Sequence, residues 1–228
     1  MPVKKIINTL IVLTSCLTFF VVAAQEEANP TASDADEFAL IAGQNYQMVV
    51  PAQPTKAGNK IEVLEIFWYG CPHCYDFDPA LETWVENKPD DVDFRRMPGI
   101  FRKNWEPHAK AYYAADKLGV LEQFHTSLFT EIHEYNKRIF TEEAIFSFVE
   151  SLDDVDSEAF KKAYNAFSTE SKVKQATRLS RAYGIRGVPA IIVNGKYWTS
   201  SSLAGSYPEL LKVVDALVDK ERNTAAGK

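Results

Sequence analysis

The chain has 228 residues, of which 46% are hydrophobic and 25% charged. This is the composition of a globular protein, and it excludes a wholly disordered chain. Lys and Arg number 25 against 31 Asp and Glu, for a net charge of -6, so the basic face that nucleic-acid phosphates require is not expected. The 3 cysteines are too few for a disulfide-stapled scaffold.

Residues 1–24 predict a secretory signal peptide. They begin with Lys4 and Lys5, run mostly apolar, and end in the small residues of 22–24, which is the order such a peptide follows. A retained membrane anchor is one alternative, of borderline length, and a lipoprotein that carries lipid on Cys16 is another. Export would place the mature protein in an oxidising compartment, where thiols readily form disulfides.

Residues 25–43 predict a flexible leader, because their first part is small, polar and acidic. Residues 44–103 predict the first part of an α/β domain. Residues 61–69 are apolar at almost every position, which is typical of a central strand buried on both faces. The other predicted elements are an edge strand at 46–50, a helix at 72–87 kinked by Pro79, and a strand at 92–97.

Residues 104–182 predict an inserted all-helical domain, since helix formers dominate and strand signals are few. Residues 183–228 return to the α/β pattern, and Asn194-Gly195 is a strong hairpin signal. The economical interpretation is one α/β domain interrupted by helices. The helices are predicted at 105–118, 121–134, 141–151, 156–167, 169–183 and 208–220, and the late strands at 190–193 and 196–198.

The motif Cys71-Pro72-His73-Cys74 lies between the central strand and a helix. Cys71 is expected at the helix N-cap with Pro72 in the first helical position, where a missing N–H costs nothing. Unpaired backbone N–H groups and the helix dipole favour a thiolate there, and only the thiolate attacks in disulfide exchange. Cys74 is expected to be more buried, and His73 to add positive charge or hydrogen-bond donors near the Cys71 sulfur.

A structural disulfide and a zinc site are the alternatives for this motif. A bridge that closes so short a loop stabilises a protein little. Structural zinc needs four ligands, and the remaining histidines, His108, His125 and His133, are scattered through the helical block, the last two being two helical turns apart. The motif therefore predicts a redox-active disulfide, with no metal and no bound cofactor.

A second motif, Gly187-Val188-Pro189, stands before the strand at 190–193. A cis Val188–Pro189 bond would expose the Val188 backbone beside the cysteines, where an extended peptide pairs with it. Frequencies alone favour the trans bond, because about one X-Pro bond in twenty is cis in folded proteins.

The two motifs together resemble the DsbA family, the thiol:disulfide oxidoreductases of the bacterial periplasm within the thioredoxin superfamily. The resemblance covers nearly all of 44–220. It implies a thioredoxin fold with an inserted helical domain, a cis Pro189, Cys71 as the attacking and attacked sulfur, and Cys74 as the resolving thiol. A low cysteine pKa and an oxidising disulfide are known properties of that family. The segments that carry the resemblance are Glu65-Ile-Phe-Trp-Tyr-Gly-Cys71-Pro-His-Cys74-Tyr-Asp-Phe and Tyr183-Gly-Ile-Arg-Gly-Val-Pro189-Ala-Ile-Ile-Val-Asn-Gly-Lys-Tyr197.

The resemblance also implies that Glu65 is a buried acid behind the cysteines and accepts a proton during exchange. The alternative is a strand-end residue that reaches water, since a buried acid is costly unless paired. Asp78 and Arg96 are expected to form a charged network with it. Gly70 stands where some family members carry a bulky aromatic residue, and it is expected to loosen the turn without changing the chemistry.

The expected function is donation of the disulfide to reduced exported proteins, which are the substrates, followed by reoxidation by a DsbB-type membrane quinone oxidoreductase. The short leader favours a monomer. A disulfide isomerase or reductase of the same fold is one alternative, and a non-enzymatic peptide-binding chaperone is another. Aromatic residues for a substrate groove are Phe67, Trp68, Tyr69, Tyr75, Phe77, Tyr112 and Tyr113, most of which are equally suited to the core.

Overall fold

The computed structural model describes residues 39–226 of the chain. The predicted signal peptide, the alternative lipid site at Cys16 and most of the leader lie outside these residues. The strands are β1 (Gln47–Met48), β2 (Ile61–Phe67), β3 (Val92–Pro98), β4 (Ala190–Val193) and β5 (Tyr197–Thr199). The helices are α1 (Pro72–Asn87), α2 (Glu106–Leu118), α3 (Leu121–His133), α4 (Glu142–Glu150), α5 (Ser157–Tyr164), α6 (Phe167–Ala182), α7 (Ser201–Ala204) and α8 (Tyr207–Ala226).

The five strands form one mixed sheet in the order β1-β5-β4-β2-β3. The central strand β2 runs parallel to β3 and antiparallel to β4, so both of its edges are paired. The β2–β3 crossover contains α1, as a parallel connection requires. In this register Glu65 of β2 lies opposite Arg96 of β3.

The alternation of side chains along β2 decides what each face of the sheet packs against. Val63 packs with α1 and α8 in a core that contains Phe77 and Leu217. Leu64 and Ile66 point to the other face and pack with residues of α2 and α6. Glu65 shares the face of Val63, so this acid lies on the α1 side of the sheet.

The helices α2 to α6 lie between β3 and β4 along the chain. Helices α2 to α5 contribute to a core rich in aromatic side chains that includes Phe124 and Phe160, both fully buried. Phe67 at the end of β2 and Tyr69 in the turn that follows belong to the same core. The point where β2 ends is therefore packed by the helical segment as well as by the sheet.

Local signals account for several element ends. The side chains of Thr141 and Asp156 accept hydrogen bonds from the third backbone N–H beyond each, at 3.3 and 3.0 Å, and so cap α4 and α5. The predicted hairpin is confirmed, with Asn194 and Gly195 at φ 48° and 66°. A Cβ at Gly195 would lie 2.0 Å from the carbonyl oxygen of Gln53, so glycine is required there.

Some predicted bounds are wrong. The edge strand predicted at 46–50 is limited to the two residues of β1. The strand predicted to reach residue 69 ends at Phe67, because its partner β4 begins only after Pro189, which has no N–H to donate. A 3-10 turn (Lys103–Trp105) precedes α2, and the short α7 was not predicted. In the described part of the chain, none of the helices is long and apolar enough to cross a bilayer.

The closing helix α8 covers the sheet through fully buried leucines, so its core contacts are expected to dominate stability. Leu217→Ala removes a side chain that is 0% exposed and should lower the free energy of unfolding by about 2–5 kcal/mol. Chemical denaturation of the oxidised protein measures this loss. Leu211→Ala is the matched control, because Leu211 is only partly buried, and an equal loss in both variants would contradict the packing assigned to Leu217.

Candidate active site

Cys71 and Cys74 bracket the start of α1 at the end of the central strand. Cys71 is the N-cap of α1 and Pro72 its first residue. The Cys71 carbonyl accepts backbone N–H bonds from Cys74 and Tyr75 at 3.1 and 3.2 Å, so the first helical turn places both sulfurs on the same side. Both cysteines are free thiols, Cys71 half-buried and Cys74 fully buried.

The environment of Cys71 favours its anionic form. Its pKa falls from 9.0 to about 6, first because the Cys74 side chain hydrogen-bonds to it, against an opposing effect of burial. Backbone N–H groups of Cys74 and His73 and the charge of His73 lower this pKa further. Of the two thiols, Cys71 is therefore the one whose surroundings favour the thiolate, which is the form that attacks and leaves in disulfide exchange.

Cys74 is held in the opposite state. Burial raises its pKa well above 9.0, and the hydrogen bond to Cys71 and the nearby negative charges of Cys71 and Glu65 add to the rise. A buried thiol that stays protonated is a donor to the neighbouring thiolate. Among residues 39–226, no group of three or more His, Cys, Asp or Glu side chains is arranged to hold a metal ion.

An ionic cluster lies behind the cysteines. Cys74, Asp78 and Glu82 follow one another at four-residue spacing along α1, which places them on one face of the helix. The Arg96 guanidinium lies beneath that face and bonds to Glu65, Asp78 and Glu82 at 2.9, 3.0 and 2.7 Å. The predicted association of Glu65, Asp78 and Arg96 is thus present, while the sequence interpretation missed Glu82, whose signal was its spacing from Asp78.

Glu65 is 2% exposed, so the alternative of a strand-end acid reaching water is wrong. Burial raises its pKa to about 7 even though Arg96 opposes the rise, and Asp78 and Glu82 add to it. One cation shared among three carboxylates cannot compensate each of them fully. A group with a pKa near 7 gains and loses a proton at neutral pH, as proton transfer to and from a thiol requires.

His125 from α3 also belongs to the cluster. No sequence signal indicated this contact. The ring nitrogens of His125 lie 3.0 Å from the Tyr69 hydroxyl and 3.3 Å from Asp78 Oδ1. Burial lowers the pKa of His125, so the neutral ring donates Nε2–H to the carboxylate and accepts from Tyr69. Burial would raise the pKa of Asp78, but the bonds from His125 and Arg96 hold it below its usual range.

The Val188–Pro189 bond is cis, and it lies directly beside the first cysteine. The Cys71 Sγ is 3.5 Å from the Val188 carbonyl oxygen. A groove of about 660 Å³ opens next to these atoms. Its lining includes Trp198 and the segment 200–208, with His73 at one end, and the Tyr207 hydroxyl donates to the His73 carbonyl at 3.1 Å.

None of the seven aromatic residues named from the sequence lines this groove. Four of them are buried in the core, namely Phe67, Tyr69, Phe77 and Tyr112. Trp198 and Tyr207 line it instead. Trp198 belongs to β5, the return strand of the hairpin, and Tyr207 is the first residue of α8. At Gly70 a Cβ would lie 2.4 Å from the Trp68 ring and 2.8 Å from Phe140. These two rings fill the space that an aromatic residue at position 70 would need.

Comparison with known proteins assigns a family to this geometry. The family described as "DSBA-like thioredoxin domain" matches residues 96–207. The thiol:disulfide interchange protein DsbA of Burkholderia cepacia is 36% identical over 216 residues, which cover 94% of this chain and 96% of the relative. DsbA of Pseudomonas aeruginosa PAO1 is 38% identical over 194 residues, 85% of this chain and 90% of the relative. The chain belongs to the DsbA family of thiol oxidoreductases.

Solved structures of the family share the architecture. The crystal structure of Pseudomonas aeruginosa DsbA is 39% identical and has a TM-score of 0.78, covering 83% of this chain and 97% of that one. DsbA from Xylella fastidiosa gives a TM-score of 0.75 at 32% identity, with 81% and 98% covered. The predicted thioredoxin fold with its helical insertion is confirmed.

Alkylation of the reduced protein tests the assigned roles of the two thiols. We expect iodoacetamide to modify Cys71 with a midpoint near pH 6, and to spare Cys74 until the protein is denatured. Cys74→Ala removes the hydrogen bond with the largest effect on the Cys71 pKa, so it should move the midpoint up toward 9.0. A midpoint that is unchanged in Cys74→Ala would contradict this explanation.

The protonation of Glu65 should appear in the pH dependence of stability. The folded protein keeps this proton up to about pH 7, whereas an ordinary glutamate loses it near 4.5. Stability is therefore lost as the pH rises through that window. In the oxidised protein, Glu65→Gln should gain up to about 3 kcal/mol relative to wild type between pH 4.5 and pH 8. Urea denaturation at both pH values measures the difference, and a difference independent of pH would argue against a protonated Glu65.

Proposed function

We propose that this chain is an exported dithiol oxidase that donates the Cys71–Cys74 disulfide to reduced cysteines of exported proteins. The contrast between the two thiols carries the proposal, because the pKa of Cys71 is lowered to about 6 while burial raises that of Cys74. A stabilised thiolate stabilises the reduced enzyme, and a stabilised reduced form makes the disulfide a stronger oxidant. Membership of the DsbA family supports the same direction of transfer.

The transfer proceeds in two exchanges. A substrate thiolate attacks Cys71 Sγ of the oxidised enzyme, the Cys71–Cys74 bond breaks, and Cys74 leaves as a thiolate that takes up a proton. A second substrate thiolate then attacks the substrate sulfur of the mixed disulfide, and Cys71 leaves as a thiolate. Two electrons pass from the substrate dithiol to the enzyme, which ends with Cys71 as the anion and Cys74 protonated.

Glu65 is the proposed proton partner of Cys74. The carboxyl lies on the α1 side of β2, is 2% exposed, and has a pKa of about 7. It thus supplies a proton when Cys74 leaves and takes one when Cys74 attacks during reoxidation. Its neutral form also spares the buried Cys74 thiolate a like charge in the step that forms it.

The backbone of Val188 and the ring of Pro189 are proposed to bind the substrate. The Val188 carbonyl lies 3.5 Å from the Cys71 sulfur, so a segment that pairs with this backbone brings its own cysteine to the reacting atom. The adjacent groove of about 660 Å³ extends the contact along α7 and the start of α8.

The proposed location is the periplasm, reached through the signal peptide of 1–24, with lipid attachment at Cys16 as the alternative. The proposed reoxidant is a DsbB-type membrane quinone oxidoreductase, which withdraws the two electrons from the reduced enzyme, and the proposed state is a monomer. The naming of the relatives as DsbA supports this assignment of partners.

Two serine variants test the proposed exchange. Cys71→Ser removes the attacked sulfur, so oxidation of a reduced unfolded protein should be lost altogether. Cys74→Ser keeps Cys71 but removes the resolving thiol. When it is given a substrate that already carries a disulfide, the Cys71 thiolate attacks one sulfur and displaces the other as a thiolate, so the complex bound through Cys71 should accumulate. Rates followed by thiol quantification and gel mobility measure both. Wild-type oxidation by Cys71→Ser would end the assignment.

Equilibration with glutathione separates the oxidant from the isomerase and the reductase. An oxidant disulfide should be reduced by glutathione far more readily than a structural disulfide. Resistance to reduction, or a stable dimer in sedimentation, would favour the alternatives. A non-enzymatic chaperone would not oxidise thiols, and it would still bind unfolded protein after both cysteines are replaced.

A further inference from the structure

Three residues of α3 meet the turn that carries the cysteines. His125, Phe129 and His133 recur every four residues, which places them on one helical face. Each of them contacts Tyr69, two positions before Cys71. His125 meets the Tyr69 hydroxyl at 3.0 Å, the Phe129 ring lies 5.0 Å from the Tyr69 ring, and His133 Nε2 lies 2.7 Å from the Tyr69 carbonyl oxygen.

His133 hydrogen-bonds to the carbonyl of Tyr69, a buried residue two positions before Cys71. Tyr69 is 1% exposed, and a buried carbonyl without a donor is costly. Across the described residues, no backbone N–H donates to this oxygen outside regular helices and strands. A carbonyl oxygen only accepts, so Nε2 of His133 carries the hydrogen and donates it.

The other side of the same ring meets the residue that follows Cys74. The His133 ring stacks on Tyr75 at 4.9 Å between centroids and 15° between planes. The Tyr75 hydroxyl donates to Glu134, the next residue of the chain after His133. The C-terminal end of α3 thus contacts the chain on both sides of the motif, at Tyr69 before Cys71 and at Tyr75 after Cys74.

We propose that His133 is a positioning residue for the dithiol, which the inserted helices hold in its reactive geometry through the Tyr69 carbonyl and the Tyr75 ring. The inference deepens the proposed function and rests on it. The bond fixes the Tyr69–Gly70 peptide group, which directly precedes that of Cys71, and with it the position of the sulfur relative to the Cys74 thiol and the N–H groups at the start of α1. Without the bond, these donors no longer converge on the sulfur.

Two amides of different length test the proposal. Gln places a side-chain N–H at the same distance along the chain as His Nε2, whereas Asn is one methylene shorter and cannot reach. Both variants are made in the mature chain, and the alkylation midpoint of Cys71 and the equilibrium with glutathione are measured. His133→Asn should shift the thiolate equilibrium and the glutathione equilibrium by about tenfold, one pH unit in the midpoint, toward a weaker oxidant. His133→Gln should remain near wild type.

Asp156→Ala is the matched control for a loss of stability alone. It removes the cap of α5, inside the same helical segment but away from the cysteines, and should lower Tm without moving either redox readout. If His133→Asn also lowers Tm with both readouts unchanged, or if Gln shifts them as much as Asn, the positioning role is overturned. A wild-type midpoint near 9 would instead refute the proposed function, so the two failures are distinguishable.

Discussion

The hydrogen bond between the two cysteine side chains is the interaction on which the site depends. This bond lowers the pKa of Cys71 and raises that of Cys74, and the unequal burial of the two side chains acts in the same direction for Cys74. Cys71 is half-buried, and backbone N–H groups of Cys74 and His73 stabilise its charge, whereas Cys74, one helical turn later, is fully buried. The strand end, Pro72 and the helix start are needed because they fix the spacing at which one thiol donates to the other.

The ionic cluster beneath α1 shows how the fold keeps a buried carboxyl group able to exchange a proton near neutral pH. Arg96 is the cation of the cluster and is shared by three carboxylates. A fully compensated buried carboxylate would stay ionised, and an isolated one would stay protonated. Glu65, partly compensated, sits between these limits. The arrangement costs stability at neutral pH, which is the usual consequence of building reactivity into a buried site.

The parts of the fold that depend on local pattern could be predicted from the sequence. The mostly apolar run of β2, the Cys71-Pro72 helix start and the Asn194-Gly195 hairpin each have a short-range cause. Glu65 drew attention because an acid in an apolar strand needs a reason. What could not be predicted depends on contacts between distant segments. His125 is 47 positions from Asp78. Trp198 and Tyr207 line the groove because of where the hairpin and α8 lie in the assembled fold, and the patterns that predict these two elements do not indicate a groove.

The place of the helical segment in the chain explains why it influences chemistry carried by the thioredoxin frame. It enters after β3 and returns before β4, the two strands that flank β2, so its aromatic core closes over the end of β2 rather than over the sheet as a whole. Phe67, the last residue of β2, and Tyr69, in the turn that follows, both pack in this core. A change in the packing of these helices therefore acts directly on the turn before Cys71, because Tyr69 of that turn belongs to their core. Because Val188 begins the return of the chain into β4, its carbonyl is held beside the same turn, and Val188 and Cys71 both pack against the same core.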